Sequence, residues 1–205
     1  TLLEVKSNFD TLKNIYLNNG KAIGITSRNN LLEWEFNKKS QSSSENHQSS
    51  KKNDFLFLLS KPSYRFPKLK IRNISLNKTM ALCIDINGNV LVWGENKDGL
   101  LGLGFDINMV DTPTILEGLI DITECSLSDY HAVVINSNGV PFSWGLGKYG
   151  ELGLERSIYS PFPLQMNTES LYSKVYCGNL ITCFLDLEGH FSYFGIIIRQ
   201  LGGNN

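Results

Sequence analysis

The chain has 205 residues, enough for one domain or two small ones. Nineteen Lys and Arg against 20 Asp and Glu leave a net charge of −1, which argues against a surface built on phosphate contacts and so against direct nucleic-acid binding. There is no run of 18 apolar residues, so no segment reads as a membrane span, and the opening residues do not read as a secretory leader.

In chain order, the first readable unit is KAIGITSRNNLLEWEF, from Lys21 to Phe36. Two short apolar runs flank the turn Thr26-Ser27-Arg28-Asn29, and the second run carries Trp34. Residues 37–53, NKKSQSSSENHQSSKKN, are polar and Ser-rich, with no apolar period. Such a tract cannot bury enough surface to offset its ordering entropy, so it is expected to be a disordered insertion in a loop. The second unit predicts strands at Ile71–Leu76, Ala81–Ile84 and Val90–Trp93, with the turn Asp85-Ile86-Asn87-Gly88 between the last two. A glycine-rich loop follows with Gly94, Gly99 and Gly102, then a short run after a proline, Pro113-Thr114-Ile115-Leu116. The third unit has a strand at Ile122–Leu127 and the string HAVVINSNGVPFSWGLGKYGELGL from His131 to Leu154. That string repeats the design: a turn ending in Gly139, then Trp144 and Gly145, then a loop with Gly150 and Gly153. In the fourth unit Ile181 leads ITCFLDLEGHFSYFG, whose turn ends in Gly189 and where Phe194 takes the place of Trp.

The units are copies of one another. Trp34, Trp93, Trp144 and Phe194 follow at intervals of 59, 51 and 50 residues, and the Ser-rich tract accounts for the longer first interval. The last turn position is Gly in three copies and Asn in one, the residues that tolerate positive φ, which marks a hairpin repeated in register. About four short strands recur per repeat, and no amphipathic helix of ten residues interrupts them. Four-stranded sheets repeated radially form an all-β propeller, with repeats at about 1–36, 54–104, 105–155 and 156–205. A kelch propeller would need a double glycine in each copy, and Gly202-Gly203 is the only pair.

His131, Gly139, Trp144, Gly145, Gly150, Leu152 and Gly153 form a string that resembles the repeat of the regulator of chromosome condensation family. Gly88, Trp93, Gly94, Gly99, Leu101, Gly102 and Gly104 match it again. Met80 and Ile181 depart from it where the family prefers His, and Phe194 where it prefers Trp. The resemblance implies a seven-bladed propeller, of which roughly four blades are present. Thr1-Leu2-Leu3-Glu4 matches Thr114-Ile115-Leu116-Glu117, so the sequence is expected to start inside the pattern.

Trp34, Trp93, Trp144 and the loop glycines read as packing residues, with each Trp wedged between blades and Leu152 plugging the space beneath the loop. In the family the His at position 131 braces backbone between blades. The branch of plant ultraviolet receptors uses a G-W-R-H-T string, which is absent. Cys83, Cys125, Cys177 and Cys183 show no CxxC spacing and read as core thiols in a reducing compartment, cytoplasmic or nuclear. No catalytic, metal or cofactor constellation stands out, and the chain reads as non-enzymatic. Function then falls to the loop rim. One reading is a protein-interaction scaffold within a larger chain. The other is a guanine nucleotide exchange factor for a Ran-type small GTPase, the activity of the founding branch, which uses acidic residues in the loops before each His-led strand. Asp129, beside Tyr130, is the one acid at that position, so the two residues are the candidate partner contacts.

Overall fold

The computed structural model describes residues 11–18, 21–38, 57–59, 63–155 and 158–197. The chain divides into two compact units, Thr1–Lys70 and Ile71–Asn205. In the first, β1 (Leu12–Asn18), β2 (Lys21–Thr26) and β3 (Leu31–Lys38) form an antiparallel meander. Two short strands, β4 (Phe57–Leu59) and β5 (Ser63–Tyr64), both pair with β3. Trp34 stands opposite Ala22 and is buried with it and Leu32. Asn37 and Lys38, which the sequence assigns to the disordered tract, pair with Leu58 and Phe57 as part of β3. A polar residue at a strand end costs little, so composition alone sets that boundary too early. Residues 39–53 and the opening Thr1-Leu2-Leu3-Glu4 lie outside the described residues.

The second unit holds three antiparallel sheets. The second sheet of the chain runs β6 (Ile71–Leu76), β7 (Met80–Asp85), β8 (Val90–Glu95) and β9 (Met109–Ile115). The third runs β10 (Ile122–Leu127), β11 (His131–Asn136), β12 (Pro141–Leu146) and β13 (Tyr159–Gln165). The fourth has three described strands, β14 (Tyr172–Cys177), β15 (Ile181–Asp186) and β16 (Phe191–Gly195). Among the described residues the one helical element is a 3-10 turn at Lys97–Gly99. The sheets are offset from the sequence repeats by one strand. By sequence β9 falls in repeat 105–155, yet it hydrogen-bonds to β8. The glycine loop that ends each repeat is the return of a hairpin, so the strand after it belongs to the sheet before it.

Edge strands explain the prolines. β9 runs through Pro113 rather than starting at it, and β13 contains Pro161 and Pro163. The register slips opposite these residues, between Val92 and Gly94 and between Ser143 and Gly145. Proline donates no ladder hydrogen bond and is tolerated at such edge bulges.

Register is the same in each sheet. Met80, His131 and Ile181 face Gly94, Gly145 and Gly195, while Trp93, Trp144 and Phe194 face Ala81, Ala132 and Thr182. β7 is buried along its whole length and β11 nearly so, which is why they read as continuous apolar runs. One core lies between the second and third sheets, built on Leu82, Ile84, Val90, Val92, Ile122, Val134 and Trp144. Another joins the third and fourth through Val133, Ile135, Met166, Tyr172, Val175 and Phe184, with Tyr172 stacked on Phe184 at 4.2 Å. The innermost strands are stitched by repeated serines. Ser75 Oγ accepts the N–H of Leu127 at 3.0 Å, and Ser126 Oγ accepts that of Cys177 at 2.8 Å. Tyr176 occupies the equivalent place in the fourth sheet and is 61% exposed, with Phe191 at 61% and Tyr193 at 48%.

Candidate functional site

The glycine after each aromatic opens the route from strand to rim loop. At Gly145 φ is +96°, and a Cβ would lie 2.5 Å from the carbonyl oxygen of Tyr130. That oxygen instead accepts the N–H of Leu146 at 2.8 Å. Gly94 and Gly195 repeat the arrangement against Thr79 and Leu180. Each such bulge turns a loop toward the segment that leads into the His-bearing strand or its equivalent.

The loop then reaches the next sheet. Gly102 lies beneath the Trp144 ring, where a Cβ would stand 3.0 Å from Nε1. Trp144 is fully buried, and its Nε1–H donates to the Leu100 carbonyl at 2.8 Å. Gly153 takes the equivalent place against Phe194, and Leu152 is fully buried beneath its loop. Trp93 is 6% exposed in the second sheet. Gly99 and Gly150 adopt φ of +76° and +91° in the two loops, and Gly139, at +82°, closes the β11–β12 hairpin.

The Phe194 ring has no N–H, so it cannot cap the carbonyl of Glu151, the counterpart of Leu100, as the Trp144 indole does. Thr182 does so instead, donating its hydroxyl to Glu151 O at 2.8 Å. Thr182 replaces the Ala found opposite the other aromatics. Its oxygen also lies 2.7 Å from His131 Nε2. Since the Thr182 proton goes to Glu151, His131 Nε2 carries the hydrogen and donates. Nδ1 is then the acceptor, 3.0 Å from Ser128 Oγ. Ser128 Oγ also accepts the N–H groups of Tyr130 and His131. His131 is fully buried, and burial holds its imidazole down at about 4. It is therefore a neutral strut between the third and fourth sheets.

The cysteines are free thiols. Burial pushes Cys83 and Cys125 far up and Cys177 to about 12, so all three stay protonated at neutral pH. Among the described residues no three His, Cys, Asp or Glu side chains come together as a metal site, and no helix is long and apolar enough to cross a membrane.

A cleft of about 210 Å³ opens at the rim between the third and fourth sheets. Tyr130 lines it from the loop before β11, and Leu146, Lys148, Tyr149 and Glu151 from the loop after β12. Asn179 and Leu180 close it from the loop before β15. Tyr130 and Tyr149 are 40% and 51% exposed, whereas Glu151 is 2% exposed. Glu151 Oε2 accepts the Tyr149 N–H at 2.8 Å. The structure thus brings Tyr130 together with residues the sequence did not single out. It leaves Asp129 exposed on the same loop, outside the cleft lining. The signal for Glu151 and Thr182 was present as breaks in the repeat. An acid stands where the previous copy has Leu100, and a hydroxyl where two copies have Ala81 and Ala132.

Repeated antiparallel sheets joined by rim loops define a β-propeller protein. The sequence pattern of the Regulator of chromosome condensation (RCC1) repeat matches residues 87–135 and 138–185, and the chain belongs to the family built from that repeat. It is 31% identical over 142 residues to the human "Probable E3 ubiquitin-protein ligase HERC4", covering 67% of this chain and 13% of that protein. Human WBSCR16 superposes with a TM-score of 0.69 at 16% identity, over 92% of this chain and 49% of that one. Prp20p of Saccharomyces cerevisiae, known with its binding properties to Gsp1p and histones, superposes with a TM-score of 0.63 at 20% identity, over 94% and 45%. The chain therefore spans about an eighth of the length of the ligase and just under half of the two solved structures.

Proposed function

We propose that the chain is a non-enzymatic protein-interaction module whose rigid blades hold rim loops in register for a protein partner. The observation that carries this reading is the division of polar groups. His131, Ser128, Thr182 and Ser143 are buried and engaged in bonds within and between sheets. Tyr130, Tyr149, Lys148 and Asp129 stand out at the rim. The family relationship supports it, since relatives with very different names share the repeat. A second reading, nucleotide exchange on a small GTPase, is favoured by one feature. The Asp129 carboxylate is exposed and makes no hydrogen bond or ion pair among the described residues.

Fluorescent-nucleotide release from a Ran-type GTPase, with and without the protein, separates the two. The module reading expects no acceleration, and a partner captured by the protein that is lost in Asp129→Ala, Tyr130→Ala at unchanged melting temperature. Acceleration abolished by Asp129→Ala would replace it with the exchange reading.

A further inference from the structure

The acid at the floor of the rim cleft is not required by the fold. At the preceding junction the same position holds Leu100, which is 2% exposed and packs in the core. Burying a carboxylate is unfavourable unless its oxygens are satisfied. Glu151 is equally buried, yet only Oε2 has a partner, the Tyr149 N–H. Oε1 makes no hydrogen bond among the described residues and is not sealed in the interior, and Glu151 is one of the residues that line the cleft. Two tyrosine rings stand at the mouth. Lys148, exposed at the edge, forms no ion pair with the acid.

From this juxtaposition we propose that the cleft captures one basic side chain, Arg or Lys, from a protein partner. The cation enters between Tyr130 and Tyr149 and ends on Glu151 Oε1. Tyrosine faces attract a cation through the ring quadrupole, and the effect grows as water is excluded. A carboxylate floor disfavours phosphate, so the occupant is a protein segment rather than a nucleic acid. The volume suits a single side chain, being smaller than the roughly 300–1,000 Å³ typical of small-molecule sites. Lys148, exposed at the edge of the cleft, adds a like charge that opposes the incoming cation.

This inference rests on the interaction-module reading and is tested separately from it. The probes are Gly/Ser peptides carrying one central Arg, Lys, citrulline or norleucine, titrated into the isotope-labelled protein and followed by amide NMR. The Arg and Lys peptides are expected to shift the Tyr149, Glu151 and Asn179 amides with a Kd of about 1 mM or tighter. Citrulline and norleucine peptides are expected to leave them unmoved, and the ratio of Arg to Lys affinity identifies the preferred base. Glu151→Gln keeps an acceptor for the Tyr149 N–H but removes the charge, and should weaken binding at least about tenfold. Glu151→Leu copies Leu100, so it should fold, melt no lower than the parent and lose binding. Tyr149→Phe should retain binding while Tyr149→Ala loses it, and Lys148→Ala should tighten it. Equal binding of the norleucine peptide, unchanged affinity in Glu151→Gln, or no shift at about 10 mM peptide, well above the expected Kd, would overturn the assignment. If the peptides fail while rim substitutions still abolish partner capture, the cleft proposal falls and the module reading stands.

Discussion

Around Trp144 the junction between the second and third sheets is apolar apart from the indole itself. Met80 stands at the His position, Ala132 faces Trp144, and the Trp144 N–H caps the Leu100 carbonyl. Between the third and fourth sheets the same positions hold His131, Thr182 and Phe194, and a hydrogen-bonded chain runs from Ser128 to Glu151. In both junctions the loop carbonyl is satisfied. The geometry of the repeat is thus the constant, and the chemistry that meets it varies in compensated sets. A change at one position, Trp to Phe, is matched by another, Ala to Thr, because an orphaned buried carbonyl is costlier than either side chain.

The largest expected effect breaks the apolar junction. Trp144→Ala removes a fully buried side chain and orphans Leu100 O, and should lower unfolding free energy by about 3–5 kcal/mol. Chemical denaturation measures it, and a loss below about 1 kcal/mol would mean that the sheets do not depend on this wedge.

The polar junction should carry a pH signature the apolar one lacks. His131 has a folded value of about 4 against an ordinary 6.5, so between these limits the unfolded chain takes up a proton that the folded chain refuses. Its contribution is fully present above pH 6.5 and is lost as the pH falls toward 4, by about 3 kcal/mol in all. Unfolding free energies across this range, with His131→Met as the reference lacking the titration, give the difference. Equal pH slopes in the two proteins would show that the imidazole is not held neutral.

The smallest effect sharpens the comparison most. Thr182→Ala removes the cap of Glu151 O and the acceptor of His131 Nε2–H, at a cost of about 1–3 kcal/mol. Phe194→Trp should offset about 1 kcal/mol of that loss by supplying an indole N–H to the carbonyl, as Trp144 does. A double-mutant cycle reads the coupling. Additive costs would mean that the two substitutions are not alternative solutions to one problem.

Most of the architecture was legible because it repeats. The turn glycines, the aromatic spacing and the apolar runs at β7 and β11 each mark a strand or a turn, and the copies reinforce one another. The residues that start the turns were less visible. Asp85, Asn136 and Asp186 each accept two backbone N–H groups through Oδ1, so a carboxylate or amide serves, and no single residue type recurs. The cleft was least visible of all. Tyr130 could be picked out from its place before His131, but Glu151 and Asn179 come from other loops, and only packing of the third and fourth sheets makes them neighbours. Pattern matching also favours what agrees between copies, whereas the cleft is made by a residue that disagrees.

The hydrogen-bonded chain through His131 has a consequence for how such an array can grow. Repeat proteins lengthen by copying a unit in tandem, which presumes that any unit can follow any other. A second copy of the third repeat placed after the first would set His131 Nε2–H against the methyl of another Ala132, leaving a buried donor without an acceptor. The third and fourth blades are therefore a matched pair in sequence order, and a duplication or shuffle at this point would carry the cost of that unpaired donor, about 1–3 kcal/mol.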